Sequence, residues 1–178
     1  MTLGLLACVF ASALSFGQSL TNGQKNTLRT AIQNEAALAS ALAVRDDTTI
    51  ANYCNAAASP VQKLWKPTYL ADDLFQATVL TEYIARSAAE RQAYDLLVTI
   101  GTMDPTKNKL RSGIADIFSG ASNSTSRAAI LNDMTRNATW CEQKLGGTNA
   151  TTDTVTAWKA NWTGVLSPFE ISTLLNGN

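Results

Sequence analysis

Acidic residues stand in adjacent pairs at Asp46-Asp47 and Asp72-Asp73, and two neighbouring carboxylates can move a proton or hold a divalent cation. Both pairs fall where a helix is expected to begin. Acidic side chains there complement the helix dipole and cap free amides, which accounts for them without any chemistry. The three cysteines, Cys8, Cys54 and Cys141, are far apart and have no C-x-x-C spacing, so a zinc or iron–sulfur site would lack partners. Cys54 and Cys141 lie among apolar helical neighbours, the usual setting of a buried free thiol; export would also permit them to pair, and their spacing leaves that open. Histidine is absent, which removes the commonest general base, the commonest metal ligand and every Ser-His or Cys-His nucleophile pair. No EF-hand loop, phosphate-binding glycine loop, H-E-x-x-H or G-x-S-x-G occurs. The residues therefore assign no catalytic, cofactor-binding or metal-ligating position, and the chain reads as a non-enzyme with no cofactor and no small-molecule substrate.

Two further residue types deserve weighing. N-x-[ST] triplets at Asn123, Asn137, Asn149 and Asn161 are close to what chance gives in a chain this rich in Asn, Ser and Thr, so they argue for no modification. Trp65, Trp140, Trp158 and Trp162 bring large apolar area to a small chain. Ordinary core packing explains such residues, with a subunit interface as the alternative.

The elements that must position these residues follow from composition and periodicity. With 178 residues the chain fits one compact domain with at most an added terminal segment. A hydrophobic fraction of 46% against 16% charged allows a packed core. Fourteen basic and fourteen acidic residues give zero net charge, which excludes nucleic-acid binding driven by net charge. The stretch from Thr2 to Phe16 carries no charge, yet it is shorter than the roughly 20 residues a membrane-spanning helix needs. Its small residues resemble a signal cleavage region, but no Lys or Arg precedes it, which favours an apolar arm packed on a neighbouring subunit.

Thr21 with Gln24 forms a capping-box spacing ahead of Leu28, Ile32, Ala36 and Ala39, which predicts a first helix. A shorter one is expected over Thr49 to Ala58, then an extended link around Trp65 and Pro67. Residues 71–86 predict one helix, or two with a break near Thr78. Ser87 with Glu90 opens a helix carrying Ala93, Leu96, Leu97 and Ile100 up to Gly101, and Asp104-Pro105 opens the next, ending at Gly120. From Ser124 to about Lys144 the apolar residues Ile130, Met134, Ala138, Cys141 and Leu145 step at helical intervals, which predicts a last long helix. Val155 to Leu166 predicts one strand or a small hairpin, and Ser167-Pro168 with Glu170 starts a final short helix.

The expected fold is accordingly mainly α: a compact multi-helix bundle with a short β strand or hairpin near the C-terminus and an apolar N-terminal arm. The expected organisation is an arm or signal-like segment over 1–19, a helical domain over 20–147, and a C-terminal strand, turn and short helix over 148–178.

From about Leu20 to Leu175 the order of residues resembles a family of small, mostly helical virion structural proteins of tailed bacteriophages. The marks are Leu20-Thr21 with Gln24 and Leu28, Asn52-Tyr53-Cys54-Asn55 leading into Ala56-Ala57-Ala58-Ser59-Pro60, Trp65-Lys66 and Thr81-Glu82. Asp104-Pro105 with Asn108 and Arg111, Gly113, Asp116-Ile117-Phe118 and Gly120 continue the pattern. Arg127 to Ile130, Arg136 to Glu142, Gly164-Val165-Leu166 and Glu170-Ile171-Ser172 complete it. The apolar N-terminal stretch departs from the family, whose chains start near the first capping box. The resemblance implies a head–tail connector, neck or tail protein of the virion, assembled in the host cytoplasm. Its implied partners are other virion proteins, such as portal, connector or tail subunits, in a homo-oligomeric ring with no transmembrane span. It offers no catalytic residues. The alternative function is an exported α-helical envelope protein with a cleaved signal peptide, secreted or periplasmic.

Overall fold

Ten α-helices and six short strands alternate along the described residues of the computed structural model, which are 19–120 and 124–177. The arm or signal expected at the N-terminus, Cys8 and Asn123 lie outside them. Helices α1 (Asn22–Gln33), α2 (Ala39–Val44) and α3 (Asp47–Asn55) come first, with a single 3-10 turn at Ala36–Leu38. Strands β1 (Lys63–Trp65) and β2 (Tyr69–Leu70) follow, then α4 (Ala71–Ala77), α5 (Leu80–Ile84) and α6 (Ala88–Ile100). Next come β3 (Thr102–Met103), α7 (Asn108–Ile117), α8 (Ser124–Asp133), β4 (Thr135–Asn137) and α9 (Trp140–Leu145). Strands β5 (Gly147–Asn149) and β6 (Trp158–Ala160) precede the last helix, α10 (Pro168–Asn176).

The mainly α bundle is corrected by a four-stranded mixed sheet in the order β4-β1-β6-β5, with a second, two-stranded sheet formed by β2 and β3. β1 runs antiparallel to β4, with Leu64 opposite Arg136, and parallel to β6, with Leu64 opposite Trp158. The link around Trp65 is thus the centre of a sheet rather than a tether. The expected long helix over 124–144 is two helices with β4 between them. Met134 and Ala138 are buried as a helical stripe would require, yet the chain between them is extended because Thr135–Asn137 pairs with Lys63–Trp65. Thr139 then opens a fresh helix by a complete capping box with Glu142, the same device found at Thr21/Gln24, Ser87/Glu90 and Ser167/Glu170. The helix expected after Asp104-Pro105 begins at Asn108; Asp104 instead holds a turn, its Oδ1 accepting from the Thr106 amide at 2.9 Å and hydroxyl at 2.6 Å.

Alternation along β1 separates the interior. Leu64 faces a small cluster with Ala58 and Ala138, while Trp65 enters a core with Tyr69, Leu74, Tyr94, Ile114, Phe118, Ile130 and Met134. A second core joins the first and last parts of the described residues: Leu28, Ile32, Ile50, Cys54, Trp140, Cys141, Trp162, Ile171 and Leu174 pack together. Asn55 fastens that joint, donating to the Leu166 carbonyl at 2.8 Å and accepting from the Leu166 amide at 2.9 Å.

Candidate functional site

Both carboxylate pairs stand at the starts of helices. Asp46 is the N-cap of α3, accepting from the Thr49 amide at 3.0 Å and hydroxyl at 2.7 Å, and these bonds hold its carboxyl below the ordinary range. Asp47 follows it in the first turn. Asp72 and Asp73 occupy the first turn of α4, on the other core, with Asp72 accepting from Gln76 at 2.8 Å. The structure does not bring the two pairs together, and no group of three or more Cys, Asp and Glu among the described residues is placed to hold a metal ion.

Several polar side chains with little exposure are committed to joints. Arg111, 2% exposed, donates to the Thr152 hydroxyl at 2.8 Å, the Pro105 carbonyl at 2.6 Å and Asn108 at 3.2 Å, with its guanidinium 4.7 Å from the Trp65 ring centre. Glu142 accepts both Arg136 nitrogens, at 2.7 and 2.6 Å, as well as the Thr139 amide at 2.9 Å. Glu82 accepts from the Ser126 amide at 2.8 Å and so caps α8 from α5. Burial opposes ionisation of Glu82, but the hydrogen bonds from Ser126 and Thr125 outweigh it and hold its carboxyl below the usual range.

Three of the four tryptophans are core residues. Trp65 donates to the Ala150 carbonyl at 2.9 Å, Trp140 meets Tyr53 edge to face at 5.4 Å, and Trp162 is buried in the second core; Trp158 is half-buried on β6. Asn137, Asn149 and Asn161 are exposed, and Asn149 closes a turn by accepting from Thr151 at 3.1 and 2.8 Å.

Parts of the exposed surface are apolar. On α4 and α5, Phe75 and Leu80 are 61% and 60% exposed and border a groove of about 510 Å³ floored by Thr78, Tyr83, Tyr94 and Val98. Its polar side chains already have partners: the Thr78 and Tyr94 hydroxyls lie 2.9 Å apart, Tyr83 donates to Asp95 at 2.8 Å, and Gln76 donates to Asp72 at 2.8 Å. Leu96 lines a separate groove of about 480 Å³ between α6 and α7, with Ala93, Leu97 and Leu110, and Ile100 is exposed at the end of α6. This is a rotation of that helix relative to expectation, because Tyr94 is its buried residue while Leu97 and Val98 are half-buried. At a further apolar site Phe169, 80% exposed in the first turn of α10, and Val165 stand beside a smaller groove of about 240 Å³ lined by Leu20, Trp162 and Leu174.

Helical patterning flags these residues as apolar but cannot tell which of two stripes stays outside, so the surfaces were not legible before the fold. No helix among the described residues is long and apolar enough to cross a membrane. No protein-family model, curated protein or solved structure matches the chain.

Proposed function

We propose that this protein is a non-enzymatic structural component of a tailed bacteriophage virion, a connector, neck or tail subunit that acts by packing against copies of itself and other virion proteins. The observation that carries the packing mechanism is the pair of unlike apolar surfaces. One is the exposed pair Phe169 and Val165 at the start of α10, which would serve as a knob; the other is a groove between α4, α5 and α6 bordered by Phe75 and Leu80. Large exposed apolar surfaces mark interaction sites. Two different ones on a single chain suit a head-to-tail contact, which closes into a ring when the rotation per subunit allows. The groove floor favours a protein side chain, because its few polar groups already have partners and leave an apolar hole. Placement of the virion itself is supported by the sequence resemblance. Of its residues, Asn55, Trp65 and Arg111 hold distant segments of the chain together.

The test has two parts. Mass spectrometry of purified particles should find the chain, and particles without it end the virion reading. Sedimentation of the purified chain should show an assembly that both Phe169→Asp and Leu80→Asp reduce to monomers, since a charge cannot be buried unpaired at such a contact. An equimolar mixture of the two variants should recover a dimer, because one good knob then meets one good groove. A monomeric wild-type chain, or a mixture that stays monomeric, overturns the head-to-tail mechanism.

A further inference from the structure

Cys54 is in the last turn of α3 and Cys141 in the first turn of α9, both fully buried in the second core. Their neighbours hold the two backbones side by side. The Trp140 amide donates to the Ala56 carbonyl at 2.9 Å, Ala57 and Thr139 form an antiparallel bridge, and the Tyr53 ring lies 5.4 Å from that of Trp140. Within this clamp both thiols lie in the same cluster of packed side chains, where α3 rests against α9. They are unbridged here.

We propose that Cys54 and Cys141 are a disulfide site: a dithiol that a small disulfide oxidant converts to an intramolecular bond pinning α3 to α9. In the balanced reaction one cysteine thiolate attacks a sulfur of glutathione disulfide and releases one glutathione thiolate. The second cysteine thiolate then displaces the other glutathione from the mixed disulfide. Two protein thiols lose two protons and two electrons, and one glutathione disulfide gains them as two glutathione molecules.

Burial sets the kinetics. The contact with Cys54 and removal from water push the Cys141 thiol far above its ordinary range, so the folded protein holds almost no attacking thiolate. Oxidation should therefore be slow in the folded chain and fast during refolding, and the finished bond should be shielded from reductant in the same way.

The full chain, reduced and unfolded in urea, is refolded with and without glutathione disulfide, then denatured, alkylated and peptide-mapped. The expected result is a Cys54–Cys141 peptide pair with Cys8 alkylated, and a midpoint of thermal unfolding about 10 °C above that of the reduced chain, as a cross-link closing a long loop should give. Cys8→Ser should keep the redox-dependent shift, while Cys54→Ala and Cys141→Ala should each abolish it. Mapping of the unmodified chain decides the matter even if a variant folds poorly. Free Cys54 and Cys141 after oxidative refolding, or cross-links to Cys8 in their place, overturn the proposal.

Discussion

Replacing Arg136 by leucine should destabilise the protein far more than its exposed position on an edge strand implies. Arg136 is about a third exposed, but its partner Glu142 is 1% exposed at the side chain and cannot reach water when the guanidinium is removed. The carboxylate would keep only the Thr139 amide at 2.9 Å as a donor. A buried carboxylate stripped of its partner costs about 3–5 kcal/mol. Surface ion pairs, by contrast, cost at most about 1 kcal/mol. Glu142→Gln should be milder, about 2–3 kcal/mol, because the guanidinium left behind can rehydrate and the amide oxygen can still accept from Thr139. Thr139→Ala removes only the hydroxyl that accepts from the Glu142 amide at 3.2 Å, and should cost about 1 kcal/mol. The double variant R136L/E142L removes both charges. It should be more stable than R136L alone, giving a coupling energy of at least about 1.5 kcal/mol in the cycle completed by E142L. Urea unfolding of the four proteins measures this directly, with an unchanged slope as the check that the denatured state is the same. Additivity within about 0.5 kcal/mol, or an R136L variant within about 1 kcal/mol of wild type, would refute the view that this pair is what joins β4 to α9.

Gly147 lies where an added Cβ would overlap the Lys159 carbonyl oxygen and sit 3.2 Å from the Ala160 Cα. Gly147→Ala should therefore push β5 off β6 and cost about 1–3 kcal/mol by thermal unfolding. Gly113, with open space around the same position, should accept alanine with a change within about 1 kcal/mol in either direction. Glu82 and Asp104 have carboxyl groups held below their ordinary ranges. In each, burial opposes ionisation and is outweighed by hydrogen bonds, from Ser126 and Thr125 in one and from Thr106, with Lys107 beside it, in the other. The unfolded chain then binds more protons in that window, so their stabilisation is full above about pH 5 and lost as pH falls through and below about 4. The urea midpoint should fall along this acid limb, and Glu82→Gln should flatten it.

Local signals in the sequence were read well where one short segment settles the matter. Thr21 with Gln24, Ser87 with Glu90 and Ser167 with Glu170 each satisfy two amides within four residues, and all three caps are present. The break at Thr78 belongs to the same class, since its hydroxyl donates to the Leu74 carbonyl at 2.7 Å and ends the turn. The strands were not readable in this way. Three residues such as Thr135-Arg136-Asn137 are too few to show a period of two, and they are extended because of Lys63 to Trp65, a segment far away in the chain. The apolar steps from Ile130 to Leu145 continued at helical spacing through that strand, and this hid the Thr139/Glu142 cap that restarts the helix. The same limit hid the candidate surfaces. On α6 the four residues Ala93, Leu96, Leu97 and Ile100 form a plausible inner stripe, but Tyr94 is the residue that packs on Phe118, at 5.9 Å between rings, and this turns Leu96 and Ile100 outward.

That rotation bears on what the resemblance to virion proteins is made of. Several of its polar and aromatic marks lie at joints between distant segments: Asn55 against Leu166, Trp65 against Ala150 and Arg111 beneath Thr152. Each satisfies a buried donor or acceptor that would otherwise cost about 1–3 kcal/mol, so each constrains the fold strongly and the surface weakly. Phe75, Leu80 and Phe169 lie outside those marks, although Val165 beside Phe169 is one of them. Polar and aromatic marks of this kind therefore constrain the body of the protein more tightly than the apolar surfaces it presents.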